Sequence, residues 1–137
     1  MRDIMCRAWL KNSHKMVDVD VIKSYKNQII DEDGFIHKYG DYELMLFTGL
    51  YDKKGRHIFE GDIVSCLYKT RNYQVPRKYR IIWENCGFVL SPYNSAKYGP
   101  IVTPTQEAVD YLKAEVIGNI YDNPELIGEN EDERDFI

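Results

Sequence analysis

Cysteine is scarce in this chain and is not spaced as a disulfide framework or a metal knuckle would require. The three cysteines, Cys6, Cys66 and Cys86, are an odd number at wide spacing, and no CxxC pair occurs. This pattern argues against both arrangements and fits a reducing compartment. We therefore expect buried, inert thiols that behave as small hydrophobic residues.

Long apolar segments are also missing. No apolar run approaches the roughly 20 residues that a membrane-spanning helix needs, and residues 1–5 lack the apolar stretch of a signal peptide. By elimination, we expect a cytoplasmic protein without a membrane partner.

Signatures of catalysis are equally absent from the sequence. It contains no Walker loop, no GxGxxG motif and no GxSxG motif. His14, His37 and His57 are isolated from one another, and no HxH or HxxxH spacing indicates a metal site. The run from Asp31 to Gly34 lacks the ligand spacing of an EF-hand and favours a charged turn. We expect no catalytic residue, no cofactor and no metal, so an enzyme is the least favoured class.

The composition is that of an ordinary globular protein rich in aromatic residues. Of the 137 residues, 44% are hydrophobic and 29% are charged, which predicts one domain or two small lobes sharing a core. Eleven tyrosines and five phenylalanines favour strands. Residues 129–135 contain five acids and one base, so this stretch accounts for the formal net charge of −4. We expect residues 128–137 to form a disordered acidic tail.

Hydrophobic alternation predicts short strands along most of the chain. Residues 16–22 alternate three valines with two aspartates, the strongest strand signal in the sequence. Further strands are predicted at residues 5–10, 35–39, 42–47, 63–68, 79–84, 87–90 and 116–121, with 35–39 paired to 42–47 and 79–84 paired to 87–90. A short helix is predicted to start where Thr103 and Gln106 match a capping box, and to end near Lys113.

Residues 48–64 combine two turns with two short strands. The stretch from Asp52 to Gly55 predicts a tight reversal in which the aspartate bonds its own backbone and the glycine takes a positive φ. A second corner at residues 60–62 leads into the strand at 63–68. Gly61 and Gly118 are expected where the sheet bends sharply or where backbones approach closely. Short strands, many turns and one helix predict a mainly β protein built around a small barrel.

Three segments resemble the YopX family, whose members are small proteins encoded mostly in bacteriophage and prophage genomes. The segments are residues 7–9 with Met16, residues 46–64 and residues 115–126, and their order and spacing are specific. The resemblance spans nearly the whole chain and identifies no catalytic residue. It implies a mainly β fold, an SH3-like barrel in the C-terminal half, and a bacterial host cell. We accordingly predict an N-terminal antiparallel β region at residues 1–45 and the barrel at residues 46–127.

The best functional candidate is a basic, tyrosine-containing segment at residues 68–80. Basic side chains neutralise phosphates, and tyrosine rings stack on bases. The candidate nucleic-acid-binding residues are Lys69, Arg71, Tyr73, Arg77, Lys78, Tyr79 and Arg80. The sequence pI of about 5.4 is far from that of a typical nucleic-acid binder. The alternative interpretation is a solvated hairpin or a loop that contacts another protein.

The sequence therefore favours a phage-derived accessory or interaction module that is not an enzyme and acts through a surface contact. The expected partner is a second copy of the chain in a homo-oligomer, or another protein. The alternative function is nucleic-acid binding through residues 68–80. An interaction module requires an exposed apolar patch or an unpaired strand edge, whereas nucleic-acid binding requires a continuous basic surface beside exposed tyrosines.

Overall fold

Antiparallel strands make up most of the chain in the computed structural model, which describes residues 5–69, 71–72, 74–84, 87–92 and 104–126. The strands are β1 (Cys6–Leu10), β2 (Lys15–Lys23), β3 (Gln28–Asp31), β4 (Ile36–Lys38), β5 (Tyr42–Tyr51), β6 (His57–Phe59), β7 (Asp62–Lys69), β8 (Gln74–Glu84), β9 (Gly87–Pro92) and β10 (Glu115–Asn119). Helix α1 spans Gln106–Tyr111, and short 3₁₀ helices span Ser24–Lys26 and Pro124–Leu126. The predicted mainly β class is confirmed, with two antiparallel sheets and one short α-helix among the described residues.

The chain divides into two units, Met1–Phe47 and Thr48–Ile137, and the predicted domain boundary after residue 45 stays a prediction. Neither sheet is closed into a barrel by the strand pairings of the described residues. The SH3-like assignment stays a prediction, and the predicted acidic tail at residues 128–137 lies outside the described residues. Among the described residues, no helix combines the length and apolar character needed to cross a bilayer.

The first unit is a sheet in the order β4-β3-β2-β1-β5. Strand β1 lies between β2 and β5, and its Ala8 is fully buried and pairs with Val17 of β2 on one side and Leu44 of β5 on the other. The register between β2 and β3 shifts between Val19 and Val21, which is typical of a β-bulge. The alternation of valine and aspartate predicted this strand, and the structure confirms it.

The second unit contains the end of β5, strand β6 beside it, and a four-stranded sheet in the order β10-β7-β8-β9. The predicted hairpin of residues 79–84 and 87–90 is confirmed, with Trp83 paired to Phe88. Its buried core consists of Ile58, Val64, Cys66, Tyr79, Ile81, Leu90, Val109 and Ala114. Burying these side chains stabilises the unit by roughly 1.5–3 kcal/mol for each large aliphatic residue. The core therefore lies on one face of the sheet, under helix α1.

Two turns of the chain share one construction. In the predicted reversal after β5, Asp52 Oδ1 accepts the backbone N–H groups of Lys54 and Arg56 at 2.9 and 2.8 Å, and Gly55 has a φ of 80°. In the turn between β3 and β4, Asp31 Oδ1 accepts the N–H groups two and four residues ahead at 2.9 and 3.0 Å. The aspartate satisfies donors that a tight turn would otherwise leave unpaired. The predicted self-bonding of Asp52 and positive φ of Gly55 are confirmed.

The two turns differ in what the second carboxylate oxygen binds. Asp31 Oδ2 lies 2.8 Å from Nε2 of His37, so that turn is held within its own hairpin. Asp52 Oδ2 accepts the N–H of Val116 at 3.0 Å and Nε of Arg56 at 3.1 Å. The Asp52 turn is therefore fastened to β10, a strand that follows it by more than sixty residues.

Two predictions about local structure are wrong. Residues 35–39 do not pair with residues 42–47: β4 pairs with β3, and β5 pairs with β1. The Asp31 turn fixes β3 against β4, while residues 42–46 of β5 pair with the whole length of β1. The helix is confirmed, but its N-cap is Thr105, whose Oγ1 accepts the N–H of Ala108 at 3.1 Å. Thr103, the predicted cap, lies outside the described residues.

Candidate functional site

The predicted basic residues lie on the hairpin formed by β7 and β8. Lys69 ends β7, Arg71 lies exposed in the connection, and Arg77, Lys78 and Arg80 follow along β8. Tyr73 lies outside the described residues. The Nζ of Lys69 lies 5.6 Å from the centre of the Tyr111 ring, a cation–π contact with helix α1 that the sequence did not indicate.

Strand alternation separates the residues of β8 into two groups. Successive side chains of a strand point to opposite faces, so Lys78 and Arg80 share one face while Arg77 and Tyr79 share the other. Tyr79 is 8% exposed and belongs to the core cluster, which leaves its ring no free face for stacking on a base. The basic residues of β8 therefore lie on both faces of the sheet, and the ring of Tyr79 packs in the core.

The face that carries Lys78 and Arg80 has a serine at one cross-strand position beside each of them. Arg80 pairs with Ser91 of β9, which is buried, and Lys78 pairs with Ser65 of β7. The Nε of Arg80 is buried and has no hydrogen-bond partner among the described residues. A partly buried guanidinium thus lies beside a buried hydroxyl, on the sheet face opposite the apolar core.

Sequence reasoning missed a second group of cations on this face. Glu115 of β10 pairs with Ser65 of β7, so its side chain shares the face of Lys78. Its carboxylate binds Nζ of Lys54 at 2.7 Å and Nζ of Lys53 at 3.5 Å, and one oxygen lies 3.7 Å from Nη2 of Arg56. The hydrogen bond from Lys54 is the largest cause of the lowered pKa of Glu115. Only the register of β10 could have linked these distant segments.

The first unit offers a different kind of surface. A groove of about 390 Å³ opens at one end of its sheet, lined by Leu10, Asn12, Ser13, Ile36, His37, Lys38 and Asp41. His37 faces it from β4 while its Nε2 is engaged by Asp31, and that hydrogen bond is the largest cause of the lowered pKa of Asp31. Within the described ranges, no group of three or more histidine, cysteine or acidic side chains is placed to hold a metal ion.

Large apolar side chains project into solvent along the hairpin of β3 and β4. Phe35, Ile36 and Tyr39 are 66%, 58% and 80% exposed. Val21, Ile30 and Ile36 also lie side by side on one face, because Ile30 pairs with each of the other two. An exposed set of this size at a sheet edge is more typical of a contact surface than of a free surface.

Comparison with known proteins extends the sequence resemblance. The family model described as YopX protein matches residues 6–128. The crystal structure of protein EF1440 from Enterococcus faecalis is similar, with a TM-score of 0.67 and 23% identity over 93% of this chain and 99% of that chain. At that identity the likeness shows the fold alone. No curated protein matches the chain.

Proposed function

Because the chain belongs to the YopX family, we propose that it is a phage- or prophage-derived interaction module in the host cytoplasm, non-catalytic, and acting through a surface contact. The observation that carries the proposal is the exposed edge of the first unit, formed by β4 and its flanking aromatic residues. We propose that the partner at this edge is a second copy of the same chain.

The edge strand has backbone groups that point away from its neighbour. The N–H of Asp31 bonds the C=O of Phe35 at 2.9 Å, and the N–H of Tyr39 bonds the C=O of Asn27 at 2.9 Å. Hydrogen-bonded pairs alternate along antiparallel strands, so Ile36 directs its N–H and C=O away from β3. In the described chain, β4 ends the strand order on that side. An edge of this kind is a template for pairing with another strand.

The sequence of the edge is self-complementary about His37. Phe35 and Tyr39 lie at equal distances on either side of it, so an antiparallel copy would bring each phenylalanine opposite a tyrosine. Cross-strand aromatic pairs of this kind contribute roughly 0.2–1 kcal/mol each. Such a two-fold contact also uses the same patch on both copies, which is the commonest arrangement in homodimers.

Charge favours the antiparallel orientation as well. The acidic turn at Glu32 and Asp33 precedes β4. Lys38 is the last residue of β4, and Lys26 lies at the end of the 3₁₀ helix that precedes β3. In the antiparallel register centred on His37, Lys38 of each copy lies opposite Ile36 of the other, so the lysines stay apart and the only like-charge pair is Asp33 with Asp41. A parallel copy would place like charges together, which is destabilising.

Sedimentation equilibrium of the full chain over a range of concentrations tests the proposal. We expect a dimer with a dissociation constant of about a micromolar to tens of micromolar, as for a small interface. Phe35→Ser/Tyr39→Ser should weaken it at least tenfold. Ile36→Pro should do the same, because it removes the outward N–H and leaves the bonds to β3 intact. Tyr111→Ser, an equally exposed tyrosine of the second unit, is the control.

A chain that stays monomeric at high concentration, or variants that associate as tightly as wild type, would refute self-pairing through β4. In that event, binding of extended peptides to the same edge becomes the measurement of choice.

Nucleic-acid binding is the second candidate. It is supported by Lys53, Lys54 and Arg56, which contact Glu115 on the sheet face that also carries Lys78 and Arg80. Together these residues form a broader basic surface than the segment 68–80 alone. Fluorescence anisotropy with labelled single- and double-stranded DNA and RNA tests it at low and moderate salt. Micromolar binding that weakens with salt is expected if the hypothesis holds, and no binding at low salt would exclude it.

A further inference from the structure

Arg80 is a partly buried cation without a partner in the described part of the chain. Its Nε atom is buried and lacks an acceptor, and no ion pair involves its guanidinium there. An arginine cannot escape this situation by losing its proton. A buried donor and a partly desolvated charge of this kind cost free energy. An anionic acceptor beside Arg80 would remove that cost.

The side chains next to Arg80 on the same face offer donors. Ser91 pairs directly with Arg80 from β9 and is 7% exposed. Lys78 lies two residues before Arg80 on β8, on the same face, and pairs with Ser65 of β7. The other cross-strand neighbour of Arg80 is the buried Ile63. One guanidinium, one ammonium and two hydroxyls therefore lie close together, partly shielded from water.

Among the described side chains of this face, the carboxylate of Glu115 is already engaged by other cations. Glu115 is in register with Ser65, across β7 from Lys78. Lys54 holds it at 2.7 Å, and Lys53 and Arg56 lie at 3.5 and 3.7 Å. Since three cations surround that carboxylate, its charge is more than compensated locally.

We propose that this face of the four-stranded sheet binds a phosphate-type oxyanion, with Arg80 as the principal ligand and Ser91, Lys78 and Ser65 as supporting donors. A guanidinium presents parallel N–H groups that match two oxygens of a phosphate, and hydroxyls can bond a third. Free phosphate and the phosphate of a nucleotide chain share this chemistry. The site lies in the second unit and does not depend on the proposed self-association.

Titration of the full chain with inorganic phosphate, followed by ¹H–¹⁵N spectra at constant ionic strength, tests the proposal. We expect saturable shifts at the amides of Ile63, Arg80 and Ser91, and about tenfold or greater weakening in Arg80→Gln. Arg77→Gln makes the same charge change on the same strand but on the other face, so it should bind as wild type does. Ser91→Ala should weaken binding by a smaller factor.

A short single-stranded oligonucleotide, added as a competitor, distinguishes the two sources of phosphate. Displacement of phosphate by the oligonucleotide assigns the site to nucleic-acid backbones, and lack of displacement assigns it to small phosphate compounds. If wild type shows no saturable shift, or if Arg80→Gln binds phosphate as tightly as wild type, the proposal is overturned. If Arg80→Gln fails to fold, Arg80→Lys can be tested, because it keeps the positive charge but lacks the parallel N–H groups of the guanidinium. Equal phosphate affinity in Arg80→Lys and wild type would overturn the role given to the guanidinium.

Discussion

Replacing Asp52 with alanine should destabilise the second unit far more than the first. The carboxylate has no exposed surface and accepts bonds from three backbone N–H groups, those of Lys54, Arg56 and Val116, at 2.8–3.0 Å. It also binds Nε of Arg56 at 3.1 Å. The substitution leaves those donors without their acceptor and frees β10 from the turn.

The size of the effect follows from the bonds that are lost. A hydrogen bond to a charged group contributes about 1.5–3 kcal/mol, but bonds that share one carboxylate do not add. The partner Arg56 is half exposed, so its ion pair contributes little. We expect a loss of about 3 kcal/mol for Asp52→Ala. Asp31→Ala removes a carboxylate with fewer backbone partners, confined to its own hairpin, and should cost the first unit about 1.5 kcal/mol.

The two tryptophans make the comparison possible, because each unit contains one. Trp9 is buried in the first unit and Trp83 lies on β8 of the second. Urea unfolding of a Trp9→Phe background reports the second unit, and a Trp83→Phe background reports the first. Asp52→Ala should lower the Trp83 transition and Asp31→Ala the Trp9 transition. Loss of less than about 1 kcal/mol at Trp83, or an equal loss at both probes, would refute the assigned role.

Acid should reproduce part of the Asp52 effect. Burial tends to raise the pKa of Asp52, but the N–H groups of Val116, Arg56 and Lys54 and the charge of Arg56 outweigh it and hold the pKa below its usual value. The stabilisation is therefore present above the unfolded pKa of about 3.9 and is lost as the pH falls through the folded value. The stability difference between wild type and Asp52→Ala should shrink over that window. A constant difference down to strongly acid pH would contradict this assignment.

Two further substitutions test close packing and burial. Gly118→Ala should destabilise the protein by about 1–3 kcal/mol, since its Cβ would lie 2.5 Å from Oδ1 of Asn123, whereas Gly87→Ala has open space and should be neutral in the same unfolding assay. Equal stabilities of the two variants would contradict the close approach. Burial raises the pKa of Cys66 to about 12, so in a Cys6→Ser/Cys86→Ser background this thiol should resist a thiol reagent at pH 8 until urea unfolds the chain. Rapid labelling of the native protein would be inconsistent with that burial.

Local features were predictable from the sequence because their causes are local. The valine–aspartate alternation of β2 and the turn at Asp52 depend on a few consecutive residues, and both are as predicted. The partner of β4 was mispredicted because a short loop between residues 39 and 41 suggested a hairpin, whereas β5 pairs with β1 far behind it. Pairing between distant strands leaves no signature in a single sequence.

The candidate site shows the same division. The sequence located the basic residues of β8, and alternation along a strand could have separated Lys78 and Arg80 from Arg77 and Tyr79. It could not place Glu115 beside Ser65, because that contact depends on the register of β10 against β7. The surroundings of Arg80 also depend on the pairing of β8 with β7 and β9, so the lack of an acceptor for its Nε could be found only from the structure.

The reach of Asp52 to β10 has a consequence for synthesis of the chain on the ribosome. The first unit ends at Phe47, so all of its strands are available early in translation. The second unit cannot complete its Asp52 turn until Val116 has left the exit tunnel, at least 64 residues later. At roughly 5–20 residues per second, this leaves an interval of several seconds in which β7 exposes an unpaired edge. During that interval, the nascent second unit exposes a strand edge that could pair with another chain.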